Sequence, residues 1–338
     1  MLRLCSTSCV LARIWLNGAT LGLAVLLLAA CTRSEATPLD REPPLRIGID
    51  LWAGYYPALL ADQLGYFRAE QVAVELSIPE DTDQLLVDFA AGSLDGIGVA
   101  AGDTINVVEA KPDARIVLFS DISSGADMVL AMPPIDTPQD LRGQAVGTNL
   151  GGFGELLVRQ MLDGYGVLPS AVKVVNVDAS QAVDRLISGE LAAVHTWEPY
   201  ASRARALGAK VLYSSSEAEG LVLDGFLFSD ETLRSRPTAV RRFVSAWFRA
   251  AEHWQAHPEQ DDALLATRLA VPVSAVSRVG IHLLTQEEER TAFVPGPTNR
   301  SAHHVLQQFV DYFVSRGTLS AAPDLDHLLD SQFLPAAK

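Results

Sequence analysis

The chain has 338 residues, 41 of them Asp or Glu against 26 Lys or Arg, for a formal net charge of −15, and 49% are hydrophobic. This acidic balance excludes the basic patch that recognition of a phosphate backbone needs, so no nucleic acid is expected as partner. The three cysteines are Cys5, Cys9 and Cys31, so nothing beyond residue 31 offers a thiol for a disulfide, a metal or nucleophilic attack.

The first element in chain order is an export segment. Arg3 and Arg13 are the charges that precede Cys31, the stretch 14–30 is broken by Asn17, Gly18, Thr20 and Gly22 alone, and Leu28-Ala29-Ala30 leads into Cys31. This is the form of a bacterial lipoprotein signal: residues 1–30 are expected to be removed and Cys31 to carry lipid. An uncleaved anchor is the alternative, since the apolar run is at the lower limit for spanning a bilayer. On either reading the remainder works on the periplasmic or cell-surface side, tied to a membrane. Residues 31–44, with Pro38, Pro43 and Pro44 among polar neighbours, have little to bury and read as a flexible tether.

From residue 45 short apolar runs alternate with helical patterns, the signature of an α/β sheet with crossover helices. A strand is expected at 45–50, a helix at 57–66, a strand at 72–78, a helix at 84–91, and strands near 94–99 and 116–119. The rhythm restarts with strands at 128–131 and 145–148, a helix at 153–162, and strands at 172–177 and 192–196. Asp81-Thr82-Asp83-Gln84 followed by Gly92-Ser93-Leu94 is matched at the same spacing by Asp178-Ala179-Ser180-Gln181 and Gly189-Glu190-Leu191. In both copies Asp caps a helix and Gly ends it, which predicts two similar lobes. Beyond Asp224 the segments 237–257, 263–269, 272–284 and 301–316 all carry helical spacing. This predicts a first lobe made of 45–126 and 225–338, a second of 127–224, and a helical tail packed on the back of the first.

Ligands of open α/β sheets sit outside the carboxyl ends of the strands, which directs attention to particular loops. Trp52, Tyr55 and Tyr56 flank Gly54 after the first strand, as a ligand-facing aromatic wall or as a packing cluster under the helix. Gly151, Gly152 and Phe153 open a helix whose N–H groups are free to receive an oxygen-rich group. The spacing is not that of a dinucleotide loop, and no cofactor is expected. Trp197 and Glu198 end a strand of the second lobe, with Asp103 and Thr104 at the matching place in the first. Each acid is either a ligand contact or a helix-start residue. Ser123 and Ser124 lie on one segment crossing between lobes and Asp224 on the other. Motifs of serine hydrolases, zinc peptidases and P-loop enzymes are missing from the sequence, and His195 is the histidine best placed for chemistry, though lone strand-end histidines are commonly structural.

Gly54-Tyr55-Tyr56-Pro57, Ala61-Asp62-Gln63-Leu64-Gly65-Tyr66-Phe67, Ser124-Gly125-Ala126-Asp127, Asp140-Leu141-Arg142-Gly143 before Val146-Gly147, and Trp197-Glu198-Pro199 together resemble the solute-binding proteins of nitrate, taurine and alkanesulfonate (NitT/TauT) ABC importers. The resemblance covers almost all of the chain beyond the signal. It implies a two-lobed type II periplasmic-binding fold, a small molecule captured between the lobes, delivery to an ABC permease, a monomer, and no reaction on the ligand. It further implies that Trp52, Tyr55, Asp81, Thr82, Asp103, Thr104, Ser123, Ser124, Gly151, Gly152, Phe153, Trp197, Glu198 and Asp224 face the ligand. No Lys or Arg occurs in the strand-end loops, which hold Asp50, Asp81, Asp103, Asp178, Glu198 and Asp224. A neutral, aromatic or amine-bearing ligand is therefore expected over a simple anion. The competing readings are a ligand sensor that signals to a membrane receptor, and an enzyme resembling the pyrimidine synthases that share this scaffold. Those carry a cysteine-rich iron-binding motif that this chain lacks.

Overall fold

The computed structural model describes residues 42–79 and 81–336, without the side chain of Thr82. The signal at 1–30, Cys31 and most of the tether lie outside the described residues.

The alternation read from the sequence becomes two sheets. The first run is β1 (Leu45–Ile49), α1 (Tyr56–Gln63), α2 (Tyr66–Ala69), β2 (Val74–Ser77), α3 (Thr82–Ala90), β3 (Gly96–Ala100), α4 (Ala101–Ala110) and β4 (Arg115–Ser123). The second is β5 (Met128–Ala131), β6 (Ala145–Thr148), α5 (Phe153–Gly164), β7 (Lys173–Asn176), α6 (Ala179–Ile187), β8 (Ala193–Thr196), α7 (Tyr200–Ala206) and β9 (Lys210–Ser214). The chain then returns through β10 (Leu223–Phe228), α8 (Asp230–Ser235), α9 (Pro237–Ala256), α10 (Pro258–Leu269), β11 (Ile281–Leu283), α11 (Gln286–Ala292), α12 (Ala302–Arg316) and α13 (Leu325–Leu328).

The sheet orders are β11-β4-β10-β3-β1-β2 and β7-β6-β8-β5-β9. β1 pairs in parallel with β2 and β3, and β6 with β7 and β8, whereas β10 is antiparallel to β3 and β4, and β5 to β8 and β9. Both faces are covered by helices, so β3, β5, β8 and β10 are buried along their whole length. The internal repeat has a geometric cause: Asp81 accepts from Asp83 N at 2.7 Å and Asp178 from Ser180 N at 2.8 Å. Gly92 and Gly189 then end their helices at φ 76 each, a left-handed turn that glycine enters without a Cβ clash.

The tail packs as its apolar stripe requires. Phe243, Trp247 and Trp254 of α9 are fully buried, and Phe243 stacks on Phe67 with centroids 5.6 Å apart while meeting Phe226 at 5.2 Å. α12 lies between α4 and α5, so the tail also reaches the helices of the second sheet: Glu155 of α5 accepts from Tyr312 at 2.9 Å and pairs with Arg316 at 3.1 Å.

One expectation is corrected. Residues 272–284 are not helical: a 3-10 turn at Val273–Ala275 is followed by strand β11, which adds to the edge of β4. Pro272 and Gly280, at φ 78, flank the stretch, and the three-residue spacing of Val273, Val276 and Val279 imitates a helix that these residues interrupt. The helix expected over 57–66 is likewise divided, because Gly65 takes φ 71 between α1 and α2. Among the described residues no helix is long and apolar enough to cross a membrane.

Candidate functional site

The carboxyl ends of β1, β3, β6 and β8 converge on one cavity. β10 and β5 run the opposite way, so the start of β10 (Asp224, paired with Ala100 and Asp121) and the residue before β5 (Asp127) reach the same place. The free space at its centre is about 30 Å³, room for roughly one or two waters, so a larger solute enters only if the lining residues move apart.

Trp52 Nε1 donates to Asp121 Oδ2 at 3.1 Å, and Ser120 Oγ donates to the other oxygen at 2.8 Å. Tyr55 donates its hydroxyl to Asp224 Oδ1 at 2.5 Å. Across the cavity, Asp103 of α4 accepts from Phe153 N, at the start of α5, at 2.6 Å, so a carboxylate of one half caps a helix of the other. His195 places Nδ1 3.3 Å from Thr148 Oγ1 and Nε2 3.5 Å from Asp127 Oδ1, with its ring edge-on to Phe153. Asp127 Oδ2, Asp224 Oδ2, Thr196 Oγ1 and Trp197 Nε1 are buried without a hydrogen-bond partner among the described residues.

Burial sets the electrostatics. It raises Asp103 to about 7 against the stabilising Phe153 N–H, and Asp121 to about 7 against Ser120 and Trp52. Burial, reinforced by the charge of Asp121, holds Asp224 well above the ordinary carboxylate range. These are groups that release a proton readily once a positive charge approaches.

Of the residues singled out from the sequence, Trp52, Tyr55, Asp103, Phe153, Trp197 and Asp224 line the cavity together. The others are placed differently. Asp81 caps α3, and the side chain of Thr82 is outside the described residues. Thr104 donates to Ala101 O at 2.6 Å, inside its own helix. Ser123 meets Ser215 Oγ at 2.8 Å where the two crossing segments touch, while Ser124 is exposed and donates its N–H to Gly280 O at 2.7 Å. Gly151 donates to Glu155 Oε2 at 2.8 Å, and Gly152 lies against Asp103. Glu198 accepts from Ser202 N and pairs with Arg205, both at 3.1 Å, as a helix-start acid does. Asp50, Asp127, Asn149 and His195 also line the cavity. Asp127 was readable only as part of a hinge segment, and its place depends on β5 running antiparallel to β8.

The architecture is that of the two-lobed α/β binding-protein fold. Residues 52–261 match the family described as "NMT1/THI5 like", and the chain belongs to that family. A protein of Brucella abortus described as a "putative binding protein" is 24% identical over 303 residues, covering 87% of this chain and 92% of that one. The alkanesulfonate-binding protein SsuA of Xanthomonas axonopodis pv. citri, solved with MOPS, superposes with a TM-score of 0.71 at 18% identity over 86% of this chain and 99% of its own. The desulfurization enzyme DszB superposes at 0.64, with 17% identity over 86% and 97% of the two chains. The fold is therefore shared by binding proteins and by at least one enzyme.

Proposed function

We propose that this protein is an extracytoplasmic solute receptor, lipid-anchored through Cys31, that closes on a small molecule between two lobes and delivers it to the permease of an ABC importer. Lobe 1 is 45–126 with 225–338, and lobe 2 is 127–224. The observation that carries this reading is the cavity itself, lined from both sheets and holding buried polar atoms that no group among the described residues satisfies. Leaving such atoms unmatched is costly, on the order of 1–3 kcal/mol each, and a solute that supplies the partners recovers it. No reaction on the solute is part of the reading.

A thermal-shift screen of the full chain in mild detergent against anionic, neutral and cationic small molecules tests the receptor role. A solute at one hundred times its Kd adds about 2.7 kcal/mol. The expected result is a hit that Trp52→Ala and Trp197→Ala both weaken; a folded protein indifferent to every charge class overturns the reading. The anchor has its own check: Cys31→Ser is expected to move the protein from the detergent phase to the aqueous phase on phase partitioning.

A further inference from the structure

The residues lining the cavity include Asp50, Asp103, Asp127 and Asp224 but neither Lys nor Arg. Asp224 is 4% exposed and Asp127 1%, and the Oδ2 atom of each has no partner. A buried carboxyl oxygen in that state calls for a hydrogen-bond partner, which must be a donor once the group is ionised.

One place where an anion would be received is already filled by the protein. The N-termini of α4 and α5 both reach the cavity, and at α5 the Phe153 N–H is taken by Asp103 at 2.6 Å. The preceding Gly151 N–H is taken by Glu155 at 2.8 Å. An anionic solute entering here must displace a carboxylate from the dipole that favours it, and must then sit among three more acids. A cation meets an attractive partner in each of these acids that is ionised or ionises as it docks.

The aromatic side chains point the same way. Trp52 and Tyr55 have their polar tips on Asp121 and Asp224, so what they offer along the cavity is ring surface, and ring faces attract cations. Trp197 Nε1 remains a donor without a partner, so the solute also carries an acceptor or a π-face there.

Resting on the reading of this cavity as a solute site, we propose that the solute is a small organic cation, an amine or amidine on a flat apolar body, whose N–H groups are received by Asp224 and Asp127. The groups facing Asp224 are Tyr55 from the loop after β1, Asp121 from β4, Asp103 from α4, and Asp127 before β5. His195 of β8 faces Asp127. Without solute, Asp224 keeps its proton because burial and the neighbouring acids disfavour its charge. When the ammonium group docks, the proton leaves to solvent and the carboxylate that remains pairs with the cation, so charge balances inside the closed cavity. Affinity then tightens as pH rises, by up to about tenfold per unit for one released proton.

The test uses the full chain in detergent and four probes on a common ring: benzylamine, benzamidine, benzyl alcohol and benzoate. Calorimetry at pH 6, 7 and 8, in two buffers of different ionisation heat, reads both affinity and proton release. The expected result is binding of the two cations in preference to the alcohol and benzoate, with a proton released. Asp224→Asn should abolish that release and weaken binding at least about tenfold, since the hydrogen bond from Tyr55 is kept and the charge is lost. Asp127→Asn is expected to weaken binding of the cations while leaving the proton release in place, and its loss of affinity serves as the test if the first variant is unstable. Binding of benzoate alone overturns the cation assignment and leaves the receptor reading intact, as does a response to Ca²⁺ or Zn²⁺ without one to the amines. Cation binding that neither variant weakens overturns the assigned partners. A folded protein that answers to no probe here, and to no charge class in the wider screen, overturns both readings.

Discussion

Gly54 has no room for a side chain: a Cβ there would fall 1.6 Å from Asp121 Oδ1 and 2.6 Å from Trp52 Nε1. Gly54→Ala is therefore expected to break the Trp52–Asp121 bond, to destabilise by about 1–3 kcal/mol, and to lower solute affinity. Chemical denaturation and calorimetry on the same sample read the two effects separately. Buried carboxylates give a second prediction at this scale. Asp103 and Asp121 titrate at about 7 in the folded protein, whereas in the unfolded chain they titrate near 4. The folded state thus binds the extra protons, so the stability they contribute is complete below the unfolded pKa and is lost as pH rises through 7. The solute-free protein should lose about 1 kcal/mol per group between pH 6 and 8, seen as a falling Tm, and Asp103→Asn should flatten that slope.

At the scale of elements, the two capped helices α3 and α6 carry the internal repeat. Asp178→Ala removes the cap of α6 and is expected to lower stability by about 1 kcal/mol, read from the urea midpoint, with solute affinity unchanged. The equivalent Asp81→Ala separates two roles: a loss of stability alone marks a cap, and an added loss of affinity marks a contact with solute. These helices could be read from sequence because Asp, Gly and the apolar stripe are all local signals. β10 could not. Leu223-Asp224-Gly225-Phe226-Leu227-Phe228 contains an acid and a glycine unfavourable to strands in isolation, and it becomes central only because it pairs with β3 and β4. β11 escaped for a related reason: three residues at an edge depend on their partner strand for their conformation.

For the molecule as a whole, the two halves are joined by contacts between their helices. Glu155 accepts from Gly151 N, Tyr312 and Arg316, Asp103 from Phe153 N, and Asn106 donates to Gly151 O. Glu155→Ala is expected to destabilise the solute-free protein by about 1–3 kcal/mol and to speed amide hydrogen exchange over 151–157. Mass spectrometry of exchanged peptides checks it, and solute should restore part of the protection. The result would mark α12 as the element that couples the tail to both halves.

The sequence by itself determined the alternation of strands and helices, the repeated capped helix, the acid-rich and aromatic strand-end loops, and the absence of any cysteine beyond residue 31. Each of these is written in neighbouring residues through periodicity, capping and composition. The tertiary structure alone decided which loops share a cavity. It brought Asp127 and His195 to Trp52 and Asp224, turned Glu198 and Thr104 to local helix contacts, and set Asp103 on the helix start at Phe153. Those outcomes depend on the direction of β5 and β10 and on the approach of two separate sheets, and no short stretch of chain encodes a distance across that gap.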